Sequence, residues 1–128
     1  MHSQRGSLSA FVAGLGMLFI SLVGFSFDSG HLVAEYARLA DVAGNAARAG
    51  AQQVTAIRSN DAQVDRAEAR RIALKVLRRE GVTGTVKVSD TVVAVSVTHF
   101  VKFETLQLVG LSGKRFSLTR SASPQVGR

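Results

Sequence analysis

From Ser7 to Phe27 the chain carries no charged side chain for 21 residues. As an α-helix such a run spans roughly 30 Å, about the thickness of a bilayer's hydrocarbon core. The apolar region of a secretory signal is shorter, about 7–15 residues, so the length favours an anchor that stays over a leader that is removed. Removal keeps one feature in its favour: Gly24 and Ser26 stand at −3 and −1 to a cut before Phe27. His2 and Arg5 flank one end of the run, and Asp28 is the first charge at the other. The positive-inside rule then predicts a single-pass protein of the cell membrane, with a cytoplasmic N-terminus and an extracytoplasmic C-terminal domain.

With 128 residues in all, about 100 remain beyond the span, enough for one small domain. The expected organisation is a short cytoplasmic N-terminus (1–6), a transmembrane helix (7–27), an extracytoplasmic α+β domain (28–121) and a polar tail (122–128). The chain has no cysteine, which excludes disulfides, thiolate metal sites and a cysteine nucleophile. Its net charge of +7 suits anionic partners: lipid headgroups, nucleic acid or cell-wall polymers.

Beyond the span, Leu32, Tyr36, Leu39, Ala43, Ala46, Gly50, Val54 and Ile57 recur at spacings of three and four. That is a helix with one apolar stripe, bulky at first and then alanine and glycine. The taper predicts close packing on a neighbour rather than on a thick core. Gly30 is the only breaker near the junction, so the helix is expected to run on from the span. Ser59-Asn60-Asp61 reads as a stop and restart, with Asn60 or Asp61 capping a second helix that runs to about Arg79 and stops at Gly81. Ala69, Ile72, Ala73, Val76 and Leu77 mark its apolar face.

Arg66, Arg70, Arg71, Lys75, Arg78 and Arg79 cover much of the rest of that helix. A solvated surface is the simpler reading, and an anion-binding face the sharper one. No aromatic residue is interleaved with these cations, so nucleic acid is the less favoured anion. After Gly81 the period becomes two. Thr85–Ser89, Val92–His99 and Arg115–Arg120 read as the strands of a small antiparallel sheet. Phe103–Leu111 between the last two is apolar and broken by Gly110, and reads as a short helix or crossing loop.

The three histidines are far apart, and none has a metal-ligand partner one helical turn away. Glu35 and Asp41 are better explained by pairing with Arg38 than as an acid–base couple. No nucleophile elbow, phosphate-binding loop or dinucleotide glycine pattern is present. The expectation is a protein that is not an enzyme, has no cofactor or small-molecule substrate, and works through its anchor and its contacts.

Taken in order, these features resemble the TadE/TadG-like proteins of the bacterial Tad (Flp-type) pilus assembly system. The resemblance rests on Arg5-Gly6 before the span, Asp28-Ser29-Gly30 at its outer end, and the alanine–glycine run Ala46, Ala47, Ala49, Gly50, Ala51. VVAVSV, FETLQLVGL and a final alternating strand extend it through the C-terminal half. It implies a pilin-like α+β protein, a minor pilin or pseudopilin that meets membrane lipid, pilins and other assembly proteins. It also implies a prepilin peptidase cleavage point between Gly6 and Ser7, and helix packing through Gly14, Ala43, Ala46, Ala47 and Gly50. Processed pilins follow the glycine four residues later with Glu-Tyr, where after Gly6 this chain has Phe11 and Val12. The resemblance therefore leans towards an uncleaved, TadG-like accessory protein. The competing reading is a secreted basic protein, released by signal cleavage, that binds an anionic polymer or DNA.

Overall fold

The computed structural model describes residues 3–53 and 64–124. Helix α1 spans Ser3–Ala51 and α2 spans Arg66–Arg79; strands β1 (Gly84–Val88), β2 (Val93–Lys102) and β3 (Gly113–Ala122) follow, with a 3-10 turn at Leu106–Val109 between the last two. The strands form one antiparallel sheet in the order β1-β2-β3, so the class is α+β. The helix expected to run on from the apolar segment does so, with no break at Asp28-Ser29-Gly30. Val54 and Ile57, placed on its stripe by spacing, lie outside the described residues.

The chain divides into two compact units, one built from α1 as far as Ala34 with Val101–Lys114 and the other from the remainder. In the second unit the core gathers Leu39, Val42, Ala43, Ala46, Ala47 and Ala51 of α1. Against them pack Ala69, Ala73 and Leu77 of α2, and the inward row Val93, Val95 and Val97 of β2. The alternation of β2 is what a sheet with one buried face requires. Small side chains in α1 bring the layers close. A Cβ on Gly50 would lie 3.0 Å from the Ala69 carbonyl oxygen, 3.1 Å from Val93 and 3.5 Å from Ala73. The taper of the stripe therefore serves the chain's own core.

Helix α2 starts later than the expected cap at Asn60 or Asp61, which lie outside the described residues. Asp65 is the N-cap: its carboxylate accepts from the amides of Ala67 (3.1 Å) and Glu68 (3.0 Å). Short aspartate side chains satisfy the free amides of a first turn in this way. Val64 and the cap itself are held by backbone bonds, the Val64 amide donating to the Asp90 carbonyl and that of Asp65 to the Gln53 carbonyl. At the other end Gly81, with φ +66°, stops the helix as expected. The Val82 amide reaches the Leu77 carbonyl and that of Gly81 the Arg78 carbonyl, a Schellman closure that needs the left-handed residue glycine adopts freely.

The strands fall where the period-two segments stand, with shifted ends. β1 starts at Gly84 rather than Thr85, because Gly84 pairs with Val97. A Cβ there would come within 2.6 Å of the Ser96 carbonyl oxygen, so the first position of β1 has room only for glycine. β2 is longer than its valine run and continues to Lys102; β1 covers only Val93–Val97 of it. Ser96 and Thr119 meet through their hydroxyls at 2.7 Å, which ties β3 to the other side of β2.

Candidate functional site

The apolar part of α1 is exposed except at Gly24. Between Leu8 and Phe27 every large hydrophobic side chain is at least 43% exposed, Leu15 being the least so. A helix apolar all round requires a nonaqueous surrounding or other helices. Among the described residues, one helix is long and apolar enough to cross a membrane. Within the run the Ser21 hydroxyl donates to the Met17 carbonyl at 2.9 Å, a bond made inside its own helix. Gly6 and Ser7, the residues around the implied cleavage point, lie exposed within α1. Around Gly14 a Cβ would meet nothing within 4 Å, so this small face is open to an outside partner. Ala43, Ala46, Ala47 and Gly50 differ: all four are buried, the alanines within the core cluster that α2 and the sheet share and Gly50 against Ala69, Ala73 and Val93.

Asp28 closes the apolar run, and it is the one charged or polar residue buried among those described, with 2% of its surface exposed. Its carboxylate accepts from three consecutive amides on the loop after β2: Glu104 at 3.0 Å, Thr105 at 3.1 and 3.3 Å, and Leu106 at 2.7 Å. Burial pushes its pKa up, but the Leu106, Glu104 and Thr105 amides and the nearby His31 together outweigh it, leaving the carboxyl below the ordinary aspartate range. Gly30, the other residue of the exit motif, is exposed and helical, with open space where a Cβ would stand.

The Asp28 contacts bring Thr105 down against α1. A Cβ on Gly24 would collide with the Thr105 methyl group, so the close approach depends on glycine. Beside this contact lies an open groove of about 530 Å³, lined by Phe19, Ile20, Val23, Gly24, Phe27 and Thr105. Spacing points to Asp28 and Gly24 as special positions, but nothing near them in sequence indicates a partner 76 residues away.

The basic face of α2 is partly neutralised. Arg66 pairs with Asp90 (2.6 Å) and Arg71 with Glu68, while Arg78 donates through Nε to the Leu74 carbonyl at 3.4 Å. Arg70, Lys75 and Arg79 form no ion pair among the described residues, and all three are exposed. The pairs that do form are solvent-facing, as on an ordinary solvated helix. On α1 Glu35 takes the Arg38 guanidinium through both oxygens (2.7 and 3.1 Å) and has His99 Nε2 at 3.5 Å. Tyr36 packs its ring on Phe116, the centroids 5.5 Å apart. No group of three His, Asp or Glu that could hold a metal occurs among the described residues. Comparison with protein-family models, curated proteins and solved structures finds no match.

Proposed function

We propose that this chain is a membrane-anchored, non-enzymatic component of a Tad/Flp-type pilus assembly or related type II/IV-like secretion system, acting through helix packing and protein contacts outside the cytoplasm. One observation carries the reading. An uncharged helical run, its large apolar side chains all exposed, continues without a break past Asp28 and Gly30 into a helix that contributes to the core of a small α+β unit. That is the construction a pilin-like subunit uses: the same helix is an anchor in lipid and a packing element outside it. The open small face at Gly14 suits close approach of another spanning helix. Arg5 and His2 before the run, with Asp28 after it, support a cytoplasmic N-terminus.

Membrane fractionation combined with the mass of the mature N-terminus tests the anchor. The protein is expected in the carbonate-resistant membrane fraction with a start at Met1 or Ser7. A soluble protein starting at Phe27 overturns the anchor and favours the secreted, polymer-binding reading. Deleting the gene in a host that makes Tad pili tests the assembly role; normal pili in number and function would refute it.

A further inference from the structure

Residues 103–111 join β2 to β3 by way of the 3-10 turn, and among the described residues outside α1 they carry the two most exposed large apolar side chains. Leu108 is 85% exposed and Leu111 53%. Such residues on a soluble loop are ordinarily scattered, but these lie on a loop held at a defined place on α1. Asp28 takes the amides of Glu104, Thr105 and Leu106, and the Thr105 side chain lies against Gly24. Gly24 stands one helical turn, about 6 Å, before Asp28, inside the end of the uncharged run. The loop is therefore fixed beside the last turn of the span, where the acyl chains of a bilayer give way to headgroups.

We propose that Phe103–Leu111 is a second membrane-contacting element, a leucine wedge that Asp28 clamps to the end of the span so that Leu108 and Leu111 enter the boundary between headgroups and acyl chains. This rests on the reading that residues 7–27 cross a membrane. Two further features of the loop fit a bilayer rather than water. Seven of its nine amides have partners within the chain: beside the three on Asp28, that of Phe103 donates to the Ser112 carbonyl, Leu108 to Thr105, Gly110 to Gln107 and Leu111 to Leu106. Amides near hydrocarbon need such internal partners, because water is scarce there. The strand ends at the base of the loop carry exposed Lys102 and Lys114, whose long stems suit ammonium groups held at the level of lipid phosphates. Glu104 is also exposed at that base, so the headgroup contact is made by the two lysines against one carboxylate.

The chain has no tryptophan, so a single introduced indole reports one position. Leu108→Trp, and separately Leu111→Trp, would be read in the full-length chain reconstituted into vesicles of phosphatidylcholine with phosphatidylglycerol. Phe19→Trp in the same vesicles reports the span itself. The expected result is blue-shifted emission from the indole at position 108 or 111, quenched by lipids brominated high on the acyl chain and shielded from aqueous iodide. Adding Asp28→Ala should shift the loop emission back to the red and restore iodide quenching, with the position-19 signal unchanged. A lipid-buried indole at position 19 with water-like emission at both loop positions overturns the wedge and leaves the span standing. Blue-shifted loop emission without lipid quenching also overturns it, since a second copy of the chain then covers the leucines. Water-like emission at position 19 overturns the span and the wedge together.

Discussion

A carboxylate placed one residue beyond an uncharged run must be hydrated or supplied with donors, and Asp28 is supplied with donors. Because its pKa is lowered in the folded chain, its contribution is complete above the ordinary aspartate pKa. It is lost as pH falls through the lower folded-state value. Protection of the Glu104–Leu106 amides, measured as exchange relative to an unstructured chain at the same pH, should therefore be constant from neutral pH to about pH 4 and fall only in stronger acid. Asp28→Ala should accelerate exchange at those three amides even at neutral pH, and Asp28→Asn, which keeps one acceptor, by less; unchanged protection in Asp28→Ala would contradict the clamp. Gly50 is constrained differently, by the Ala69 carbonyl and the Val93 side chain. Gly50→Val should cost about 1–3 kcal/mol through overpacking, read as a lower unfolding midpoint of the chain in micelles.

Helix α2 shows how far local chemistry defines an element. Its Schellman stop and its inward residues Ala69, Ala73 and Leu77 each follow from a side-chain type at a given spacing. Asp65→Ala removes the acceptor for two first-turn amides and should lower stability by about 1 kcal/mol. Leu77→Ala empties a fully buried site beside Gly84 and should cost about 2–5 kcal/mol by denaturant titration. The start of α2 is harder to locate from sequence. Asn60, Asp61 and Asp65 are all competent caps, and the choice falls to Asp65 because Val64 is buried and its amide is held by Asp90. The end of β2 escapes the sequence pattern for a related reason: past Val97 the run His99-Phe100-Val101-Lys102 loses its clean alternation, yet the strand continues.

For the molecule as a whole, the uncharged run sets where the chain can reside. Leu15→Arg places a cation near its middle and should weaken insertion by about 2.5–3.5 kcal/mol, measured as the fraction integrated into microsomal membranes. Wild-type integration in that variant would argue that the run is not a span. The order of elements, the apolar run with its bounding charges, the stripe on α1 and the period-two strands are all legible in the residues, because each depends on neighbours within a few positions. The small residues Ala43, Ala46, Ala47 and Gly50 are legible as packing positions, but their partner is not: periodicity marks a face without saying what covers it. The structure places α2 and β2 there. The same limit applies to Asp28. Sequence alone determines that a charge ends the apolar run and that a glycine precedes it by one turn. That this charge binds a loop 76 residues further on depends on strand pairing bringing distant chain together, which no local pattern encodes.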